Sequence, residues 1–79
     1  MQLVVECRSE PRHGEVPLRF GSEGRMHEVV EVLDCWDSEP HRDFRVRADD
    51  ASIYILRHDL RTDSWRIHFF QQGSEESSA

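Results

Sequence analysis

The chain has 79 residues, which is room for one domain whose core is too small to hold a deep substrate cavity as well as a stable interior. Its formal net charge of -6 disfavours long-range attraction to nucleic acid and other polyanions. Length and composition therefore exclude a two-domain enzyme and favour a small folded module.

All ten basic residues are arginines, and two explanations of this composition stay open. A GC-rich coding sequence favours arginine over lysine without any functional reason. Alternatively, the guanidinium groups serve bidentate contacts with carboxylates or phosphates, or stack on aromatic rings. The placement of the arginines has to decide between the two.

The first part of the chain predicts short strands separated by turns. Alternating apolar residues predict a first strand over residues 2–8, and a proline and a glycine break it over residues 9–14. Leu18 and Phe20 share one face of a second short strand. A turn over residues 21–24 follows.

Residues 25–36 fit either a helix or a strand by the spacing of their valines, and the β-branched content favours a strand. Strict alternation cannot bury both Val29 and Val32. We therefore expect one extra residue near Val30 or Glu31 to form a bulge, which bends the strand and helps the sheet to curl.

The run over residues 43–70 predicts three antiparallel strands, because apolar residues alternate along it with arginines and histidines. Placing Val46 opposite Tyr54 and Phe44 opposite Leu56 brings the apolar residues of the first two strands to one face. The same register fixes the positions of the loops.

A three-residue loop over residues 49–51 joins the first two of these strands. Its last residue, Ala51, should take the left-handed conformation that glycine adopts more easily. The next loop should place Trp65 opposite His58. Residues 71–79 lack an apolar anchor and predict a disordered tail.

These elements predict an all-β domain of five or six strands, a curved antiparallel meander that closes into a small SH3-like barrel. The domain covers residues 1–70, and residues 71–79 are the tail. The predicted core consists of Leu3, Val5, Leu18, Phe20, Val29, Val32, Trp36, Phe44, Val46, Tyr54, Leu56, Trp65 and Ile67.

The aromatic and aliphatic positions of residues 17–70 resemble a family of small bacterial domains of unknown function. The residues that carry the resemblance are Gly24, Arg25, Val29, Val32, Leu33, Asp34, Trp36, Phe44, Arg45, Val46, Tyr54, Asp59 and Trp65. A related pattern occurs at the C-terminal end of some catalytically inactive relatives of translesion DNA polymerases. Ala51 replaces the glycine of the family pattern, and residues 1–7 lie outside it. The resemblance implies a small all-β domain in a DNA-damage context.

Cys7 and Cys35 are the only cysteines, and no secretory leader precedes them. A reducing, cytoplasmic location is expected, in which both thiols stay reduced and pack as small hydrophobes. No apolar stretch is long enough to cross a bilayer.

No group of residues predicts a reaction. The five histidines lack the close ligand spacing of zinc sites. Asp34 has neither a partner nor a pocket for general-base chemistry. His58 and Asp59 are adjacent on a strand and point to opposite sides, so they do not form part of a triad. We therefore predict no metal, no cofactor and no enzymatic activity.

The outward face of the three-strand sheet is more informative, because apolar side chains lie on it among arginines. The predicted cross-strand rows are Arg47 with Ile53 and Phe70, Arg45 with Ile55 and His68, and Arg57 with Arg66. A fully solvated face does not need these apolar residues, so something should cover them. The predicted contact surface comprises Arg45, Arg47, Ile53, Ile55, Arg57, Arg66 and Phe70.

Three kinds of partner could cover the apolar residues of this outward face. The first strand, or the bent strand over residues 25–36, could fold over the face and make a closed barrel or small sandwich. Another protein, or a second copy of this one, could bind there through the arginine and aliphatic side chains. Single-stranded nucleic acid could stack on the aromatics. We predict a protein-interaction module, with nucleic-acid binding in a DNA-damage context as the alternative.

Overall fold

The computed structural model describes residues 3–12, 14–22 and 24–73 as six antiparallel strands. The strands are β1 (Val4–Glu10), β2 (Gly14–Ser22), β3 (Arg25–Ser38), β4 (His41–Ala48), β5 (Ile53–Asp59) and β6 (Ser64–Gln71). Each strand pairs with the next along the chain, so the predicted all-β antiparallel meander is confirmed. The described residues include no helix with the length and apolar character needed to cross a membrane.

The predicted closure of the barrel is not found. The strand order β1-β2-β3-β4-β5-β6 leaves β1 and β6 as the two edges, and these strands do not pair with each other within the described residues. The sheet is therefore open, with a seam between β1 and β6. Its likeness to an SH3-type barrel stays a prediction.

The long strand β3 curls the sheet. Its first residues, 25–28, pair with β2, and residues 29–38 pair with β4. The predicted bulge is confirmed, since Val30 is the extra residue between the paired positions Val29 and Glu31. A second bulge, which the sequence did not predict, lies at Leu33. Bulges increase the bend and twist of a strand, so β1 and β2 come to lie over one face of β4, β5 and β6.

The core lies between that face and the first two strands. Phe20 of β2 packs edge-on against Tyr54 of β5, with ring centroids 4.8 Å apart. Phe44, Val46 and Leu56 are completely buried beside them. Each large apolar side chain that is fully buried stabilises the fold by about 1.5–3 kcal/mol.

The predicted core is confirmed for Phe20 and for the apolar residues of the β4–β5 hairpin, Phe44, Val46, Tyr54 and Leu56, which are all buried. Leu3, Val5, Val29 and Trp65 pack against this core and are partly buried, whereas Leu18 is half-buried. The prediction is wrong for Val32, Trp36 and Ile67, which are exposed. It also missed two members of the hydrophobic core, Val16 and Ala48.

The second bulge of β3 explains the misplaced tryptophan. Cys35 lies opposite the buried Phe44 and Trp36 lies opposite Asp43, because Leu33 inserts an extra residue into the alternation. Trp36 therefore stands on the outward side of the sheet. Ile67 has a different reason: it lies opposite buried Leu56, but on an edge strand that the open sheet leaves uncovered.

The β4–β5 hairpin has the predicted register. Val46 pairs with Tyr54 and Phe44 pairs with Leu56. The three-residue loop is confirmed, and Ala51 has a φ of 69°, in the left-handed region. Its N–H donates a hydrogen bond to the carbonyl of Ala48 at 2.9 Å, which closes the loop.

The last strand departs from the predicted rows. His58 faces Trp65 as predicted, but His68 is an extra residue, so Phe69 lies opposite Ile55 and Phe70 lies opposite Tyr54. The predicted row positions of Phe70 and His68 are therefore wrong. The bulge reverses the alternation beyond it, and the Phe70 ring packs on the Tyr54 ring at 5.0 Å.

Strand β6 extends one residue beyond the predicted domain boundary at residue 70. Gln71 belongs to β6, and the N–H of Gly73 donates a hydrogen bond to Oγ of Ser52 at 3.0 Å. The disordered tail over residues 71–79 stays a prediction, and its residues 74–79 lie outside the described residues.

Candidate interaction surfaces

The face of β4, β5 and β6 that points away from the core is called the outer face. Its rows across the three strands are Arg47 with Ile53 and Gln71, Arg45 with Ile55 and Phe69, and Asp43 with Arg57 and Arg66. Six of the seven predicted contact residues lie in these rows. The seventh, Phe70, lies on the core side beside Tyr54, and Phe69 takes the position predicted for it.

An apolar strip runs along the centre of the outer face. Ile53 and Ile55 are half-buried, and the side chain of Phe69 is 48% exposed. Val5 of β1 packs against the core on the opposite face, and β3 lies beside β4 in the same sheet, so the described parts of these two strands do not lie over the strip. The first of the three predicted covers is therefore not found in the described residues.

The arginines of the outer face differ in their partners. Two guanidinium nitrogens of Arg57 donate hydrogen bonds to the carboxylate of Asp43. Nε donates to Oδ1 at 2.9 Å, and Nη2 donates to Oδ2 at 3.0 Å. Hydrogen bonding to this carboxylate raises the pKa of Arg57. Arg47 forms an ion pair with Glu31 of β3. Arg45 and Arg66 are exposed and form no ion pair within the described residues, so both are cations of this face that are open to a partner.

A second surface lies at the open seam and is called the seam groove. It is a cavity of about 410 Å³. Phe20 and Tyr54 line it from the core, and Arg25 and His27 line it from β3. The other lining residues are Leu3, Gly21, Ser22, Trp65, Arg66 and Ile67. Sequence reasoning missed this groove because it assigned Trp65 and Ile67 to the interior of a closed barrel.

One group of side chains has the composition of a metal site. Ligand atoms of His27, Asp49 and Asp50 lie within 4.8 Å of one another. His27 Nδ1 lies 3.0 Å from Asp49 Oδ1, and Asp49 Oδ2 accepts the N–H of Glu28 at 3.1 Å. The hydrogen bond from Glu28, followed by that from His27, lowers the pKa of Asp49.

The second aspartate of this group is equally well bonded. Asp50 Oδ1 accepts the N–H of Ser52, and its Oδ2 accepts the hydroxyl of Tyr54, both at 2.9 Å. Burial raises the pKa of Asp50, but these hydrogen bonds outweigh it and the pKa is lowered. The hydrogen bonds of this cluster therefore attach the β4–β5 loop to β3 and β5, which gives the cluster a structural role without a metal ion.

The residues considered for catalysis have structural partners instead. Asp34 accepts the N–H of Cys35 at 3.1 Å. His58 Nε2 lies 2.8 Å from Asp63 Oδ1, and its ring stacks on Trp65 with centroids 4.2 Å apart. Asp59 instead accepts hydrogen bonds from Arg61 and from amides of its turn. His58 and Asp59 therefore do not act together.

The two cysteines are free and partly buried, as predicted. Burial raises the pKa of both thiols. A raised pKa reduces the fraction of thiolate at neutral pH, and the thiolate is the nucleophilic form. These properties favour a packing role for both cysteines over a role as a reactive nucleophile.

Comparisons of the chain with known protein families, with curated proteins and with solved structures found no match. The resemblance to the small bacterial domains therefore stays a prediction from the quoted residues.

Proposed function

We propose that this domain is a non-enzymatic interaction module that binds a protein through its outer face. The observation that carries the proposal is the apolar strip of Ile53, Ile55 and Phe69 on the face opposite the core. Contiguous apolar surface on a small domain is typical of a binding site. The partner is either a different protein or a second copy of this chain.

The surroundings of the strip support a protein as the partner. Apolar and aromatic side chains beside arginine are enriched in protein interfaces. Arg45 lies next to Ile55 and is open to a carboxylate or a carbonyl of the partner. Arg57 is engaged by the buried Asp43, and Arg47 forms an exposed ion pair with Glu31, so Arg45 is the arginine beside the strip that has no acidic partner among the described residues.

The same charges count against nucleic acid, which is the alternative. Binding to phosphates requires arginines that are free to neutralise them. On the outer face, acidic side chains already pair with Arg47 and Arg57, and the chain carries a net charge of -6. The observation that favours this alternative is Phe69, an exposed aromatic residue on which a base could stack. The cytoplasmic location and the DNA-damage context remain predictions of the sequence.

The first step of the test identifies the partner. A photo-crosslinking amino acid replaces Ile55 in the protein expressed in its native cells, and a matched protein carries it at Leu60. Leu60 is also an exposed apolar residue, with 49% exposure, but it lies in the turn between β5 and β6. We expect a defined protein adduct from position 55 that position 60 does not give.

The second step measures affinity with the purified partner. Ile55→Glu should weaken binding at least tenfold, because it places a charge in the centre of the apolar contact. Leu60→Glu adds the same charge and should bind as the wild type does. Equal binding by wild type and Ile55→Glu would contradict the proposal.

Fluorescence anisotropy with a labelled single-stranded oligonucleotide tests the alternative. The proposal predicts no binding, even at low salt. Salt-dependent binding that Arg45→Glu abolishes would replace the protein partner by nucleic acid.

A further inference from the structure

The seam groove opens onto the free edge of the sheet. Trp65, Arg66 and Ile67 are consecutive residues of β6, and all three line the groove. Successive side chains of a strand point to opposite faces, so a cavity that touches three in a row meets the strand at its edge. At that edge, β6 has no neighbouring strand within the described residues.

The groove combines an apolar floor with a basic rim. Phe20 and Tyr54 form the floor, and both are at least 93% buried. Arg25 and Arg66 stand at the rim, and neither has an ion-pair partner among the described residues. The rim therefore carries two arginines without acidic partners on a chain whose net charge is -6. Asp49 and Asp50 contact the lining residues His27 and Tyr54, but their carboxylates already accept hydrogen bonds within and beside the β4–β5 loop.

Six of the other eight arginines have acidic partners, namely Arg8, Arg19, Arg42, Arg47, Arg57 and Arg61. The remaining two do not line the groove, since Arg12 lies in the β1–β2 turn and Arg45 lies on the outer face. Charge complementarity consequently favours an occupant that brings carboxylates to Arg25 and Arg66.

We propose that the seam groove binds an extended acidic peptide segment of another protein, which adds to the sheet as a strand beside β6. Backbone groups of the segment pair with the free edge of β6, an apolar side chain enters the groove over Phe20 and Tyr54, and flanking carboxylates meet Arg25 and Arg66. This is a second binding site, separate from the apolar strip of the outer face.

Strand addition fits this place better than a small molecule does. A free strand edge supplies main-chain hydrogen bonds, and a pocket beside it selects alternate side chains of the added strand. Both are present at the seam, where the cavity meets the edge of β6. A small apolar ligand would use the pocket and leave the edge without a partner.

The test uses the full chain and a capped peptide of alternating glutamate and valine as the probe. Isothermal titration measures its affinity, and hydrogen exchange measures the protection of the β6 amides. Two control peptides carry lysine in place of glutamate, or N-methyl groups on alternate backbone amides. We expect saturable binding of the first peptide with slowed exchange in β6, and no binding of either control.

Charge-reversal variants locate the site. Arg25→Glu should weaken binding of the acidic peptide at least tenfold. Arg12→Glu makes the same change at an exposed arginine in the β1–β2 turn and should have no effect. Ile55→Glu alters the outer face and should also leave peptide binding unchanged, which separates this site from the proposed function. Circular dichroism confirms that each variant is folded, and Arg66→Glu replaces Arg25→Glu if the latter is not.

Three results would overturn the proposal. The first is failure of the acidic peptide to bind the wild-type protein. The second is equal binding of the N-methylated peptide, because strand pairing would then play no part. The third is concentration-dependent self-association in sedimentation that Arg25→Glu abolishes, which would assign the groove to a second copy of this chain.

Discussion

Asp43 and Arg57 face each other across β4 and β5 and form a bidentate ion pair on the outward side of the sheet. Asp43 is only 1% exposed although it lies on the side opposite the core. Trp36 lies opposite it on β3, so the pair is enclosed by its neighbours in the same row. Arg57 belongs to the proposed contact surface, but its role there is structural, because it neutralises the buried carboxylate of Asp43.

Removal of Arg57 should destabilise the fold, because it leaves the buried carboxylate of Asp43 without a partner. A buried charge that has lost its partner is strongly destabilising. We expect Arg57→Met to lower the free energy of unfolding in urea clearly, whereas Arg45→Met should change it by less than about 0.5 kcal/mol. Equal stability of the two variants would show that the ion pair does not support the sheet.

Tyr54 should make the protein sensitive to alkaline pH. Burial, followed by the hydrogen bond to Asp50, raises its pKa from 10.0 to about 12. The unfolded chain loses this proton near pH 10 and the folded chain retains it, so stability is lost as pH rises from 10 to 12. The shift corresponds to a contribution on the order of 2 kcal/mol that is complete below pH 10.

The measurement for Tyr54 is direct because it is the only tyrosine. Ultraviolet difference titration should give a midpoint near pH 12 in the folded protein and near pH 10 in denaturant. The Tyr54→Phe variant should lose the corresponding part of the alkaline decline in stability. A native midpoint near pH 10 would contradict the contact with Asp50.

Gly21 should not tolerate a side chain. It lies in β2 opposite Met26, and a Cβ there would stand 2.2 Å from the carbonyl oxygen of Arg25. We expect Gly21→Ala to lower the free energy of unfolding by at least about 2 kcal/mol, because backbone atoms would have to shift. Thermal unfolding monitored by circular dichroism measures the loss.

Gly24 provides the matched control for this prediction. It has a φ of +85°, but a Cβ there would meet no atom within 4 Å. Asparagine tolerates left-handed backbone, so Gly24→Asn should retain most of the stability. A Gly21→Ala protein as stable as Gly24→Asn would contradict the close packing of the β2–β3 hairpin.

The sequence predicted the parts of the fold that alternation alone determines. In the β4–β5 hairpin, strict alternation and a short loop gave the correct register, including the left-handed Ala51. The first bulge of β3 was also predicted, because Val29 and Val32 could not otherwise share a face. These features depend on neighbours along the chain or across one hairpin.

The bulges at Leu33 and His68 were not predicted, because no pair of apolar residues there needs an extra position in order to share a face. Nothing in the residues around Leu33 or His68 marks an extra position, yet each reverses the alternation beyond it. As a result Trp36 moved to the outward side and Phe69 replaced Phe70 there. The seam groove was missed for a related reason, since pairing of the two edge strands depends on the total curvature of the sheet.

The proposed function requires Ile55 to lie on a surface that a partner can reach, while its neighbour Leu56 belongs to the core. Equilibrium unfolding of Ile55→Glu and Leu56→Glu tests this requirement, because both variants introduce glutamate at adjacent positions whose side chains point to opposite faces. Leu56 is completely buried and Ile55 is half-buried. Ile55→Glu should remain folded with a loss of about 1 kcal/mol, and Leu56→Glu should unfold the domain. If Ile55→Glu unfolds the domain as well, the outer face is part of the core and the proposed function is wrong.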